Sequence, residues 1–374
     1  MNRVEQSTPY YCGAACASMT FDKYGTTLLQ AAAYELIRTH VAESDSWYCD
    51  PDGMVGVLNT SFQPDNLSLN IQSYQSGDVA ALLARVLHNL SRLQFPTPIL
   101  INGGAHWVIV DGMRLTEGGD AGANILGVYL VDPGPNEPAR RYVPVDSMTS
   151  TYLKPIQYGR RWRDSLVVMS DASQPVVETV DVAPVTLVLS GMSLRGGTFD
   201  VFAGTPLMFA AAVLGGGGAA ASTPAERASK TLEGHGFTGA RPPAGGGATF
   251  DDIVVHCLDG QPDYVITLLD ASRSAELSGF VFVAIDKTTS QLLELTQDMS
   301  SVVLIGDEAS VAIAKGVWPH ATIDVAPGYF WQACEFLRSR FAVVRRIIVN
   351  GQEHFILPTR QIVEQLTTSW KGGG

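Results

Sequence analysis

The chain lacks three features that would place it in a special structural class. Its five cysteines include no Cys-x-x-Cys pair and are odd in number, so the sequence predicts neither a structural zinc site nor a disulfide framework. No run of Lys or Arg offsets the formal net charge of −12, which argues against binding to nucleic acid. The longest apolar run, residues 207–214, is too short to span a bilayer.

The first residues also lack the apolar core of a signal peptide. Because the cysteines do not form a disulfide pattern, a cytoplasmic protein is expected, although export that reads another signal stays open. The composition is globular, with 46% hydrophobic and 17% charged residues. A length of 374 residues suits two domains, each with its own core.

Helical periodicity followed by strand patterns predicts an α+β domain over residues 1–170. Three segments have apolar residues at helical spacing: 12–24, 27–41 and 78–93. Four strand patterns follow, at 99–101, 106–110, 126–131 and 165–169. Helices first and strands afterwards favour an antiparallel sheet with helices packed against it.

The rest of the chain predicts a linker and a second, strand-rich α+β domain. Residues 171–184 contain serine and prolines and are expected to form the linker, with the second domain over 185–374. A Gly/Ala-rich flexible loop is expected at about 215–248, and residues 371–374 are expected to be disordered. The pattern predicts a helix at 329–341 and strands at 253–255, 264–269, 280–285, 292–296, 343–349 and 354–357, with a hairpin turn at 350–351.

Four residues occur in the order and setting that thiol-dependent attack on a carbonyl requires. Such a site needs a thiolate beside a histidine, a group that orients the imidazole, and donors for the oxyanion. Cys12 opens the first predicted helix and Gln6 lies shortly before it. His106 begins a strand, and Asp132 ends the next one. We therefore predict Cys12 as nucleophile, His106 as base, Asp132 as orienting group and Gln6 as oxyanion donor.

Three neighbouring residues are candidates for substrate contact. Gly13 leaves room beside the thiol, and Gly104 allows close approach of a substrate main chain or forms a turn. Trp107 walls the site or fills the core as an ordinary buried aromatic residue.

Each catalytic role has an alternative. Cys12 could be a small buried apolar residue, and Cys16, one helical turn later, is the other possible nucleophile. His106 could be a buried structural histidine. Asp111 is the rival orienting group, but strand alternation places it on the opposite face from His106.

These residues resemble the peptidase C39-like branch of the papain-like cysteine peptidase superfamily. Its pattern is a glutamine, then Cys-Gly-Pro-Ala opening a helix, then His-Trp-Val-Val-x-x-Gly, then Asp-Pro after a strand. This chain has Ala14 where that family usually has proline. The resemblance covers about residues 1–170. It implies a papain-like fold and hydrolysis of amide bonds in a peptide or protein, with no metal or organic cofactor.

Two other functions stay open from the sequence. A transamidase or isopeptide hydrolase would use the same acyl-enzyme, because the pocket walls select the acceptor. A catalytically inactive papain-like scaffold would instead leave the second half of the chain as the working binding module.

Overall fold

A computed structural model describes residues 1–61, 68–117, 123–135, 137–171, 198–203, 208–210, 223–243, 252–274, 276–277, 279–334, 337, 339–366 and 373. These residues form mixed α+β structure in which most strand pairs are antiparallel. The chain divides into two compact units. The first contains Met1–Pro135, Ala139–Ala212 and Ser369–Gly374, and the second contains Asn136–Pro138 and Val213–Thr368.

The first unit combines helices with an antiparallel sheet. Its helices are α1 (Cys12–Lys23), α2 (Gln30–His40), α3 (Pro51–Ser61), α4 (Val79–Arg92) and the short α5 (Val145–Ser147). Its strands are β1 (Leu69–Gln75), β2 (Thr97–Ile101), β3 (His106–Glu117), β4 (Ala123–Val131), β5 (Arg141–Pro144), β6 (Ser165–Asp171), β7 (Thr198–Phe202) and β8 (Met208–Ala210). The strand order is β1-β6-β2-β3-β4-β5, with β7 beside β3 and β8 beside β7.

Side-chain alternation along β3 buries both faces of this sheet. Val108 and Val110 belong to a buried cluster with the apolar residues of α4. Trp107 and Ile109 belong to a second cluster with residues of α1 and α3. Successive side chains of a strand point to opposite faces, so one strand supplies both cores. The start of β3 is therefore fixed from two sides.

A buried amide also ties α4 to the sheet. Asn89 is fully buried and donates from Nδ2 to the carbonyl oxygen of Met169 (2.7 Å) and to Oγ1 of Thr97 (3.1 Å). Its Oδ1 accepts from the hydroxyl of Ser170 at 2.7 Å. Such a satisfied polar network fixes the position of the helix along the strands.

Strand β7 extends the first unit past the predicted boundary. The expected second domain began at residue 185, but residues 198–202 pair with Gly112 to Thr116 of β3. The strand pattern predicted an end at residue 110, whereas β3 continues to Glu117 and offers a further edge. Asp171, the first residue of the expected linker, is the last residue of β6, and residues 172–184 lie outside the described residues.

The second unit contains two sheets and two longer helices among its described residues. Its helices are α6 (Pro224–Gly234) and α7 (Asp307–Val317). Its strands are β9 (Ile253–Cys257), β10 (Tyr264–Asp270), β11 (Phe280–Asp286), β12 (Leu292–Thr296), β13 (Ile323–Val325), β14 (Tyr329–Trp331), β15 (Arg345–Val349), β16 (Gln352–Ile356) and β17 (Ile362–Val363). One sheet has the order β12-β11-β10-β9-β14, and the other β13-β15-β16-β17.

Two predictions for the second unit are wrong. The Gly/Ala-rich loop expected at 215–248 contains α6, which starts with a capping box between Thr223 and Glu226. Residues 215–222 and 244–248 lie outside the described residues. The helix expected from residue 329 is instead β14, because this segment pairs in parallel with β9. The hairpin turn at Asn350 and Gly351, both at positive φ, is confirmed.

Candidate active site

The thiol of Cys12 lies where α1 begins and β3 begins. Cys12 is the first residue of α1, and its side chain is fully buried. Its Sγ accepts a hydrogen bond from the backbone N–H of Trp107 at 3.3 Å, which joins segments separated by 95 residues. The first-turn N–H groups of a helix carry partial positive charge, which favours an anion at this end. His106 directly precedes Trp107, so the structure brings the predicted nucleophile and base to one place.

His106 and Asp132 form a direct, buried pair. His106 is the first residue of β3, and Asp132 directly follows Val131, the last residue of β4. Antiparallel pairing sets Val131 opposite Ile109, which brings the two side chains to the same end of the sheet. His106 Nε2 and Asp132 Oδ1 are 2.7 Å apart, and both side chains are almost fully buried.

The Asp132 carboxylate is held by further donors. The backbone N–H of Gly134 donates to Oδ1 at 2.8 Å, and Nη2 of the buried Arg141 donates to Oδ2 at 3.2 Å. Nε of Arg3 donates to the main-chain oxygen of Asp132 at 2.7 Å. The guanidinium of Arg141 and the backbone amide of Gly134 thus stabilise the carboxylate and fix its plane, whereas Arg3 holds the main chain of Asp132.

Gln6 is tied to the same strand end as Asp132. Its backbone N–H donates to the carbonyl oxygen of Pro133 at 2.7 Å. Its Nε2 donates to the carbonyl oxygen of Thr8 at 2.9 Å, and Oε1 makes no hydrogen bond within the described part of the chain. The segment that leads into α1 is thereby anchored beside Asp132, with the Gln6 side chain buried.

The alternative residues occupy other environments. Cys16 is buried one turn along α1, inside the cluster that includes Trp107 and Ile109. Asp111 is also buried, but its Oδ2 pairs with the guanidinium of Arg140. Burial raises the pKa of Asp111, and Arg140 opposes that rise. Asp132, not Asp111, is the carboxylate hydrogen-bonded to His106.

Gly13 packs directly against Cys49. A β-carbon on Gly13 would lie 2.7 Å from the β-carbon of Cys49, a distance that side chains do not tolerate. Close packing of α1 against the segment before α3 therefore requires this glycine. Burial raises the pKa of the Cys49 thiol well above its ordinary value, and the nearby Cys12 adds to the rise. The substrate contact expected for Gly13 stays a prediction.

The turn before His106 has an unusual backbone. Asn102, Gly103 and Gly104 have φ values of 53°, 68° and 88°, in the left-handed region that favours glycine. A β-carbon on Gly104 would lie 3.2 Å from side-chain atoms of both Ile156 and Trp47. Gly104 is therefore required both by the conformation of the turn and by the packing around it, while Asn102 is the non-glycine residue that holds a left-handed conformation in this turn.

Trp107 is a buried aromatic residue as well as a neighbour of the site. Its side chain is 1% exposed, and its indole N–H donates to the carbonyl oxygen of Cys49 at 2.8 Å. The indole ring is therefore a buried core side chain, as one of the two readings of the sequence expected. The backbone N–H of Trp107 contacts the thiol.

The structure adds residues that the sequence patterns did not indicate. Arg141 and Gly134 support Asp132, and Cys49 lies against Gly13. Gly373, in a segment expected to be disordered, is buried and donates its N–H to the carbonyl oxygen of Gly104 at 2.8 Å. The expected disorder is wrong for Gly373; residues 371, 372 and 374 lie outside the described residues.

Comparison with known proteins identifies no relative. No protein-family model, curated protein or solved structure matches this chain. The described residues contain no group of three or more His, Cys, Asp or Glu side chains that could hold a metal ion. No helix in the part of the chain that the structure describes has both the length and the apolar character to cross a bilayer.

Proposed function

We propose that the first unit is a papain-like cysteine peptidase that hydrolyses amide bonds in a peptide or protein. The observation that supports this most strongly is the 2.7 Å hydrogen bond between His106 Nε2 and Asp132 Oδ1. It lies beside a thiol whose Sγ is 3.3 Å from the main-chain nitrogen of Trp107. A thiol, an imidazole and a carboxylate in this order form the triad of nucleophilic amide hydrolysis.

The hydrogen bond to Asp132 selects how the imidazole works. Because Nε2 donates to the carboxylate, Nδ1 is the nitrogen that exchanges a proton with Cys12. His106 takes the thiol proton, and the Cys12 sulfur attacks the scissile carbonyl carbon. Collapse of the tetrahedral intermediate breaks the C–N bond as His106 returns the proton to the leaving amine. Water then hydrolyses the thioester with His106 as base, which releases a carboxylic acid and restores the thiol.

Gln6 and the start of α1 supply donors for the oxyanion. The Gln6 amide carries two N–H groups, and its bond to Thr8 uses one of them. The second N–H, with the backbone N–H groups of the first turn of α1, would donate to the developing charge. Loss of one such donor typically costs about 100- to 1000-fold in rate.

Alkylation of each cysteine by iodoacetamide at pH 6.0 and pH 8.5, read by mass spectrometry, tests the ion pair. An ordinary thiol loses on the order of 100-fold in thiolate between these values. We expect Cys12 to lose less than about 3-fold, because the His106 imidazolium stabilises the thiolate. The ratio of two rates on the same residue cancels its limited accessibility, so burial of Cys12 does not obscure the result.

His106→Ala should return Cys12 to ordinary thiol behaviour, and Asp111→Asn is the matched control because Asp111 pairs with Arg140. Wild-type protein in which Cys12 shows the pH ratio of an ordinary thiol would contradict the peptidase proposal. It would leave the inactive binding scaffold as the better reading of this unit.

A further inference from the structure

Gly373 lies against the residues that surround the candidate nucleophile. Its N–H donates to the carbonyl oxygen of Gly104 at 2.8 Å, in the turn just before His106. The position of a β-carbon on Gly373 would be 3.0 Å from the indole nitrogen of Trp107. That position would also collide with the carbonyl oxygen of Cys49. Gly373 therefore sits between the turn that leads into β3 and the segment that packs on Gly13.

Only glycine fits this position. Gly373 has a φ of 67°, in the left-handed region, and the Cys49 carbonyl leaves no space for any side chain. Its hydrogen bond to Gly104 uses main-chain atoms of both partners. Binding through main-chain atoms, with side-chain space closed off, is how a cleft receives a glycine of a peptide.

The same contacts connect Gly373 to the thiol. The Trp107 side chain lies 3.0 Å from the position that a β-carbon on Gly373 would take, and its backbone N–H donates to Cys12. Cys49 contacts Gly373 through its carbonyl and Gly13, the residue after Cys12, through its β-carbon. Cys12 itself is fully buried when Gly373 is in place. A nucleophile that is open to substrate would be at least partly exposed.

We propose that Gly373 is an intramolecular ligand of the substrate cleft: it occupies the place of a substrate glycine and keeps Cys12 covered. The identity of the cleft rests on the proposed peptidase function, but its occupation does not. The ligand chemistry is a glycine-containing peptide main chain, and the occupant is Gly373 of this chain.

The test compares Gly373→Ala with Gly351→Ala in the full chain. Gly351 also has positive φ (83°), but nothing lies within 4 Å of the β-carbon it would gain, so it reproduces the backbone strain without the collision. We expect Gly373→Ala to raise the rate of Cys12 alkylation by iodoacetamide at least about 10-fold, whereas Gly351→Ala leaves it unchanged. Equal Cys12 rates in Gly373→Ala and wild-type protein would overturn the proposal.

A synthetic peptide with the sequence of residues 369–374, Ser-Trp-Lys-Gly-Gly-Gly, gives a second readout. Added to the Gly373→Ala protein, it should slow Cys12 alkylation back toward the wild-type rate. The same peptide with alanine at the position of Gly373 should not. If Gly373→Ala raises the alkylation rate only by loosening the fold, neither peptide will protect Cys12, and that result would overturn the proposal. Protection in the wild-type protein that is lost on dilution would assign the occupant to a second copy and also overturn the intramolecular claim.

The pH ratio separates this proposal from the peptidase function. If Gly373→Ala exposes Cys12 but the thiol behaves as an ordinary one, the occupation stands and the peptidase proposal falls. If Cys12 depends on His106 but reacts equally in wild-type and Gly373→Ala protein, the peptidase proposal stands and the occupation falls.

Discussion

Replacing Asp132 by Asn changes both the chemistry and the stability of the first unit. The carboxylate accepts from His106 at 2.7 Å, from the backbone N–H of Gly134 at 2.8 Å, and from Arg141 at 3.2 Å. In place of the two carboxylate oxygens, an asparagine has one acceptor oxygen and one donor NH₂ group. If the asparagine oxygen keeps the bonds to His106 and Gly134, its NH₂ group faces the donor groups of Arg141. If the amide is turned the other way, its NH₂ group faces the N–H groups of His106 and Gly134 instead.

The magnitude follows from these contacts. The same substitution in a Ser-His-Asp triad lowers the rate about 10,000-fold. A thiol ionises more readily than a hydroxyl, so we expect a loss on the order of 100-fold in Cys12 alkylation at pH 6.0. Removing one partner of a buried ion pair costs about 3–5 kcal/mol, and both Asp132 and Arg141 are buried. Asp111→Asn should cost less, about 1–3 kcal/mol, because Asp111 is buried and pairs with the Met1 ammonium at 3.7 Å, whereas its other partner, Arg140, is exposed to water.

Two measurements on the full chain check this prediction. The Cys12 alkylation ratio between pH 6.0 and pH 8.5 reports the chemistry. The urea dependence of Cys16 labelling reports unfolding of the first unit alone, because Cys16 is fully buried in α1. Asp132→Asn protein that keeps the wild-type ratio, or Asp111→Asn protein that loses it, would refute the assignment of Asp132.

Three further predictions follow from groups that are buried or partly buried. Burial raises the pKa of Cys257 to about 11, so its alkylation rate should still rise steeply above pH 9. The free energy of unfolding should fall between about pH 8.5 and pH 11, because the thiol of Cys257 loses its proton at lower pH in the unfolded chain than in the folded one. A Cys257 alkylation rate that levels off near pH 9 would contradict the raised pKa. Gly13→Ala should destabilise the first unit by about 1–3 kcal/mol in urea, and Cys49→Gly in the same protein should recover part of the loss. Asn89→Ala, which leaves the Met169 carbonyl without its 2.7 Å donor, should cost about 1–3 kcal/mol, and an unchanged urea midpoint would count against that network.

Local patterns located helices α1, α2 and α4 and ten of the described strands, and missed the other described elements. Strand β12 has the predicted bounds, because its apolar run ends at clear turn signals. Helices α3 and α6 were missed although both carry a start signal, Asp50 before Pro51 and Thr223 before Pro224. The Asp50 carboxylate accepts from the N–H of Gly53 at 2.7 Å, as a capping residue does.

Long-range packing decided what local patterns could not. The segment at residue 329 has helical spacing but forms β14, because pairing with β9 outweighs local preference. In the candidate site, the order of Gln6, Cys12, His106 and Asp132 indicated which residues to place together. Supporting residues such as Arg141 and Gly373 are visible only through contacts between distant parts of the chain.

The contact between Gly104 and Gly373 also sets an order in time during synthesis. The described strands of the first unit have all been synthesised once the chain has passed residue 210, whereas Gly373 follows about 160 residues later, after roughly 8–30 s of translation. In a ribosome-bound chain halted between these two points, Cys12 should therefore be alkylated readily. In the released chain that includes Gly373, Cys12 should be alkylated slowly. Equal labelling of the halted and released chains would exclude such an interval.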